Sequence, residues 1–420
     1  MPAYRAGPAQ AQPVGYREDH LMLPKHVADI AQTIGEPPTY IYDLAVLRER
    51  LARVEQLVPC AKRIFFATMA NDHPAFLGEV RRQGAGVFIN SPRHLRLAIN
   101  LGFAPADLIY AASYMSVTEM DECLQLGVHV VLDSLDQVAH FAARAPDGTR
   151  AGIRVNVGSA LDGKALRDDP DYRFGLLPAE LGEAVATAAA SGLRLVGVHS
   201  YFGTDIRDPD ILLEGLRRLL AAGAALPDIE YVDGGGGFGI PDTLDGEEFD
   251  LAAYGEGAAA ILGDAERALG RSLVLYLEPG RYVSAPCGWF FARAIGAKPR
   301  ADRLMVGLSA SAVQLPRLLL HPDTAQHPWH IVGRERDPPH AQPVWLCGNS
   351  TYSRDFLARA CRSPAPVEGD LVVFHNAGAY GRSMLTEFLG KDRPVEIVLD
   401  AALVAAAQLP NDATAVLSAS

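Results

Sequence analysis

Between Thr39 and Arg281, short apolar runs alternate with longer amphipathic segments, and no other feature of the chain constrains its fold as much. The short runs are Ile64–Ala67, Val87–Ile89, Leu108–Ala111, Val128–Leu132, Gly152–Val155, Leu195–His199, Tyr231–Asp233 and Leu273–Glu278. Between them lie segments with helical spacing: His73–Gly84, Pro92–Gly102, Val117–Gly127, Leu135–Ala145, Pro178–Ser191 and Asp208–Ala224. Short, uninterrupted apolar runs suit strands covered on both faces, and repeated strand–helix alternation is the pattern of a parallel α/β fold. Eight such strands within one domain of roughly 250 residues predict a closed (β/α)8 barrel of the TIM type. An open, doubly wound sheet shares the pattern and is the alternative.

After Arg281 the character changes. Val283–Phe291, Leu304–Gly307, Pro343–Cys347, Asp370–Phe374 and Val395–Leu399 are short extended runs between turn-rich segments, and helical periodicity weakens. A separate β domain is predicted, a β-barrel or β-sandwich over 282–420. His321–Gln342 is rich in Pro, His, Arg and Asp and reads as a long surface loop.

Composition narrows the function classes. The formal net charge of −12 argues against a nucleic-acid partner, which would need a basic face. No run of about 18 apolar residues exists, so no membrane span is expected. Residues 1–20 contain Pro2, Pro8 and Pro13 without an apolar stretch and read as a flexible tail. The five cysteines are odd in number, widely spaced and form no CxxC pair, which fits a reducing cytoplasm. His73, His94, His199 and His375 show no HxxxH or HExxH spacing, so no metal is expected.

Chemistry is suggested by three segments. Tyr231-Val232-Asp233 runs as a strand into Gly234-Gly235-Gly236-Gly237-Phe238-Gly239. Glycines let backbone N–H groups converge on an anion, although a plain flexible turn has the same composition. Leu277-Glu278-Pro279-Gly280-Arg281 ends a strand with a carboxylate and an arginine around a tight turn, and an ion pair fixing that turn is as natural a role for Arg281 as ligand contact. Phe374-His375-Asn376-Ala377-Gly378-Ala379-Tyr380 places a tyrosine after a Gly-Ala turn.

Together with Pro38–Asp43, Phe65-Phe66-Ala67-Thr68-Met69-Ala70-Asn71 and Gly197-Val198-His199-Ser200-Tyr201-Phe202-Gly203-Thr204, these motifs occur in one order. In that order they resemble the fold-type III pyridoxal-phosphate (PLP) family of ornithine, diaminopimelate and arginine decarboxylases and alanine racemase. The resemblance covers roughly residues 38–400. It implies four parts: a tail at 1–20, a segment at 21–43 whose strand completes the β domain, a barrel at 44–281, and the β domain at 282–420. It also implies a homodimer. Gly235, Gly236 and Gly237 would cradle the cofactor phosphate with Thr204 and Tyr380. Glu278 would face the pyridine nitrogen and keep it protonated. Arg154 and Arg281 match arginines near the cofactor, Tyr201 would stack on the ring, and Asp355 would contact substrate.

The same resemblance exposes departures. Met69 stands where the family has its catalytic lysine, and methionine has no amine to link to PLP or to return a proton. Residues 65, 67 and 69 share strand parity, so Met69 is expected to project into the barrel mouth as an apolar filler. Phe88 replaces an aspartate, His94 a glutamate, Tyr201 a histidine and Thr351 a cysteine. So many changes around one position fit natural divergence rather than one engineered substitution.

The leading expectation is a lyase-like protein that binds PLP non-covalently and acts on an amino-acid-derived small molecule, with Tyr201, Thr351 or His199 moving protons. A non-catalytic paralogue is the rival. It would hold PLP or another phosphorylated ligand, or pair with an active decarboxylase as a heterodimer. A third possibility is a barrel turned over to chemistry without PLP.

Overall fold

The computed structural model describes residues 23–160, 163–241, 246–321 and 326–400; the predicted tail at 1–20 lies outside them. The chain divides into two compact units. One comprises Met1–Val46, Pro241–Glu247 and Ser284–Ser420, the other Leu47–Ile240 and Glu248–Val283. Among the described residues no helix is long and apolar enough to cross a membrane.

The first strand of the first unit is β1 (Thr39–Asp43), every residue of which is buried. The second unit holds β2 (Lys62–Ala67), β3 (Gly86–Ile89), β4 (Leu108–Ala111), β5 (His129–Leu132), β6 (Arg150–Arg154), β7 (Arg194–His199), β8 (Tyr231–Asp233) and β9 (Val274–Leu277). These eight strands are all parallel and close on themselves, β2 pairing with β9 through Lys62 and Leu275. Closure decides between the barrel and the open sheet in favour of the barrel.

Local chemistry explains why the helices start where they do. Ser91, Ser116 and Ser134 each accept a hydrogen bond from the backbone N–H three residues on, and Glu119 completes a capping box with Ser116. Inside the barrel, Phe65, Phe88, Ile109, Ala111 and Val131 form one apolar cluster. Each large side chain there contributes about 1.5–3 kcal/mol by leaving water. Tyr231 stacks on Tyr276 with ring centroids 4.2 Å apart, and a Cβ on Gly197 would lie 2.1 Å from the Tyr231 ring. The glycine at 197 is therefore what lets that ring fill the barrel.

The remaining strands belong to the first unit: β10 (Gly288–Pro299), β11 (Leu304–Leu308), β12 (Trp329–Ile331), β13 (Val344–Cys347), β14 (Phe356–Cys361), β15 (Leu371–Phe374) and β16 (Val395–Leu399). They form one curled sheet in the order β12-β15-β10-β11-β13-β14, with β1 antiparallel to β10 and parallel to β16. The N-terminal strand thus completes this sheet. Its core joins Ile41, Trp289, Phe291 and Val373 to Val27 and Ala31 of the helix Lys25–Ala31.

Three expectations change. The segment 321–342 contains β12, which pairs with β15 through Trp329 and Phe374, so it is not wholly a loop. The run at 283–291 starts with helical turns at Arg281–Ser284 and Ala285–Cys287, and its strand begins only at Gly288. Strand β2 ends at Ala67, and Met69 sits in the turn that follows, where Ala70 N–H donates to Ala67 O at 3.0 Å.

Candidate functional site

A parallel barrel gathers the C-terminal ends of its strands at one mouth. Arg154, His199 and Asp233 are the last residues of β6, β7 and β8, and they align in register across the three strands. Glu278 follows β9 directly. His199, Asp233 and Glu278 are all buried and bring one nitrogen or oxygen each within 4.8 Å of one another. His199 Nε2 lies 3.5 Å from Glu278 Oε1.

Burial dominates the electrostatics of this cluster. It pushes the His199 pKa down to about 4, so the ring is neutral at physiological pH. It pushes the Glu278 carboxyl up to about 8 and the Asp233 carboxyl well above the usual carboxylate range. Both ring nitrogens of His199, Asp233 Oδ2 and Glu278 Oε1 have no hydrogen-bond partner among the described residues. Such a set could satisfy itself with a shared proton, a ligand nitrogen or a divalent cation.

Beside this cluster, the Arg154 guanidinium stacks over Phe174 at 4.4 Å, and its Nε lies 3.7 Å from Asp133 Oδ1. Asp133 also accepts from Ser113 Oγ at 2.8 Å and from Gly175 N–H at 3.2 Å. Sequence reading did not single out Asp133 or Asp233. Asp233 carried a usable signal, an acid at a strand end immediately before the glycine run.

The glycine turn is dictated by crowding. Gly235 and Gly237 have φ of 65° and 91°, and a Cβ on Gly236 would lie 2.3 Å from Glu278 O. Gly235 N–H donates to Asp233 Oδ1 at 2.9 Å, and Glu278 N–H donates to Gly235 O at 2.8 Å. The Gly236 and Gly237 N–H groups have no acceptor among the described residues. The turn thus ties Asp233 to Glu278 and leaves two donors for an anion.

At the β2 side the mouth is apolar. Met69 packs on the cluster of Phe65, Phe88, Ile109, Ala111 and Val131. Thr68 Oγ1 donates to Phe88 O at 3.0 Å and lies 3.0 Å from His94 Nδ1. Neither other lysine of this unit compensates obviously. Lys62 begins β2, at the opposite end of the barrel, and pairs with Glu55 at 2.9 Å. Lys164 is exposed in the long segment between β6 and β7.

Tyr201 is half-buried and Thr204 exposed just past β7, and Arg281 begins the helical turn after the Glu278 segment. The other predicted residues belong to the first unit. Tyr380 has a left-handed backbone with φ of 55°. Thr351 is exposed between β13 and β14. Asp355 is buried, and its oxygens accept from Ser311 Oγ, Ala312 N–H, Ser350 N–H and Ser350 Oγ. That makes it a brace for its own turn.

The sequence profile of the family described as "Pyridoxal-dependent decarboxylase, pyridoxal binding domain" matches residues 44–285, more than half of the chain. The chain belongs to this family. It is 29% identical over 385 residues to diaminopimelate decarboxylase of Methanothermobacter thermautotrophicus, covering 88% of each chain. It is 28% identical over 371 residues to protein TabA of Pseudomonas amygdali pv. tabaci, covering 86% of each. Its fold matches diaminopimelate decarboxylase of Helicobacter pylori crystallised with L-lysine, with a TM-score of 0.79, 21% identity, and coverage of 89% of this chain and 94% of that one. Diaminopimelate decarboxylase of M. jannaschii, in a co-complex with L-lysine, matches with a TM-score of 0.80 at 19% identity and 90% coverage of both chains.

The family's cofactor can be tested against the residues present. Two unclaimed N–H groups on the glycine turn suit a phosphate, and the buried Glu278 Oε1, which lacks a hydrogen-bond partner, suits a ring nitrogen. The Met69 end offers no amine and does not suit a covalent link.

Proposed function

We propose that this protein binds PLP non-covalently and acts on an amino-acid-derived substrate, with Met69 in the position of the family lysine. One contrast carries the reading: the anion and ring-nitrogen ends of the mouth keep their polar groups, while the end at Met69 is apolar. In this reading the Gly236 and Gly237 N–H groups hold the phosphate with the Thr204 hydroxyl, and Gly235 shapes the turn that presents them. Glu278 meets the ring nitrogen, Tyr201 stacks on the ring, and Arg154 and Arg281 supply positive charge. When bound, PLP supplies a pyridine ring that withdraws the electron pair left at a substrate's α-carbon. An amino acid is the substrate class supported by relatives named for diaminopimelate.

The chain's own residues then have three tasks. Hydrogen bonds to a charged phosphate contribute about 1.5–3 kcal/mol each, so a few offset much of the lost covalent link before the cost of immobilising the ligand. The apolar wall at Met69 and Phe88 excludes water. Proton transfer falls to His199, whose neutral ring offers one lone pair and one N–H, or to the hydroxyl of Tyr201. Asp355 has no part in this proposal, because its oxygens are already taken.

Met69 itself favours a second reading, a non-catalytic paralogue that holds PLP or another phosphorylated ligand, as a homodimer or beside an active decarboxylase. An absorbance titration with PLP, followed by borohydride reduction and intact mass, tests the proposal. A saturable signal without a covalent adduct is expected, and amino acids are then screened for turnover. No affinity for PLP, pyridoxamine phosphate or their amino-acid adducts would overturn it. Binding without turnover of any amino acid would select the second reading.

A further inference from the structure

We infer that Asp233 is a positioning residue that shares one proton with Glu278 across the β8–β9 seam, so that the mouth presents a one-proton carboxyl pair rather than a bare Glu278 carboxylate. The pair is a property of the ligand-free barrel. Only its use toward a ring nitrogen rests on the PLP reading above.

Geometry makes the case. Asp233 ends β8 and Glu278 follows β9, its neighbour in the barrel. The Gly235 turn clamps both, taking Asp233 Oδ1 through its N–H and the Glu278 N–H through its carbonyl. That leaves Asp233 Oδ2 and Glu278 Oε1 buried, close, and without a donor. Two bare carboxylates in such a place repel each other and have lost their water; one proton between them removes both penalties. The surrounding groups supply too little positive charge to keep both ionised. His199 on β7 is neutral, Arg154 on β6 is shared with Asp133, and Tyr231, Tyr276 and Tyr254 are uncharged phenols with raised pKa. Burial raises both carboxyls, in agreement with a retained proton.

The functional consequence concerns where a proton is held. An unprotonated ring nitrogen arriving at Glu278 finds a proton already in place. The O–H bond at the pair breaks, an N–H bond forms, and the carboxylate left behind faces the new cation. Above the pair's pKa, that proton must come from solvent, and affinity then falls by about tenfold per pH unit.

Infrared difference spectra of the ligand-free full chain, taken across a pH series, test the pair directly. The wild type is expected to show a protonated-carboxyl band at neutral pH that titrates away near pH 8. In D233N the amide donates to Glu278, and in E278Q it donates to Asp233, so in each the band should titrate at least about one pH unit lower. Absence of the band from the wild type at neutral pH would overturn the inference. So would an unchanged midpoint in D233N, because burial of Glu278 alone would then explain it. A tightly held divalent cation, found by elemental analysis of the purified protein, would also overturn it. A parallel PLP titration compares the pH dependence of wild type and D233N, in which the ligand's own titrations cancel. An earlier loss of affinity in D233N supports the proton's use. A normal infrared result with no PLP binding would reject the PLP reading and leave the pair standing.

Discussion

Phe88 and His199 face each other across the barrel interior with ring centroids 5.7 Å apart. An aromatic ring there offers the imidazolium neither charge nor a hydrogen-bond acceptor, and both ring nitrogens lack partners. Burial holds the histidine neutral, and nothing at residue 88 offsets that burial. Placing a carboxylate opposite it should reverse this. In F88D, the His199 pKa is expected to rise from about 4 toward or beyond its ordinary value, read from the histidine ring proton shifts in an NMR pH titration. No movement would mean that something other than the surroundings at residue 88 sets the ring's charge.

The Met69 position gives a gain-of-function test. Because Met69 packs at the edge of the mouth and is only partly buried, M69K has room to place its amine there. Borohydride treatment with PLP should add one reduced adduct to M69K, mapped by peptide mass to residue 69, and none to the wild type. An adduct on wild-type Lys164 would instead show that this loop lysine supplies the amine.

Acid should destabilise the fold over a defined window. His330 is buried and His129 half-buried, and loss of hydration lowers each pKa to about 4. Each ring is neutral when folded but protonates near 6.5 when unfolded. Their contribution is complete above the unfolded value and is lost as pH falls from about 6.5 to about 4, by up to roughly 3 kcal/mol per histidine. The proton held by the Asp233–Glu278 pair acts with the opposite sign over the same range, so the check is a comparison: denaturant midpoints should fall less steeply with pH in H129Q than in the wild type. Equal slopes would contradict the desolvation of the His129 ring.

Gly236→Ala tests the crowded turn. The new Cβ would lie 2.3 Å from Glu278 O, which belongs to backbone and cannot swing away. A loss of about 1–3 kcal/mol or more is expected on thermal or denaturant unfolding, with PLP affinity reduced at least tenfold. Wild-type affinity in this variant would remove the glycine turn from the binding site.

Asp355→Ala separates bracing from ligand contact. It strips the acceptor from two backbone N–H groups and two serine hydroxyls, at a cost of about 3 kcal/mol or more in stability. If instead stability is unchanged and substrate affinity falls, Asp355 is a ligand contact.

Much of this protein was legible in order of residues alone. All eight barrel strands lie where short apolar runs predicted them, and β4 and β8 have the predicted bounds, because strands covered on both faces leave an unbroken apolar signature. Strand β12 was missed: three residues within a Pro- and His-rich segment carry no period of their own, and their pairing with β15 creates the strand. The turn after Ala67 was missed as well, because strand parity says nothing about where a strand stops.

The sequence by itself determined the alternation of eight strands with helices, the glycine run, the carboxyl at 278 and the lack of a lysine at 69, while strand pairing decided that the alternation closes into a barrel rather than an open sheet. The former follow from local periodicity and from which functional groups a side chain possesses. Only the tertiary structure decided that Asp233 joins His199 and Glu278, that Phe88 faces the imidazole, that Lys62 lies at the wrong end of its strand, and that Asp355 braces its own turn. The reason is physical: burial, and the company a side chain keeps across neighbouring strands, set its charge and its partners, and residues far apart in sequence supply that company.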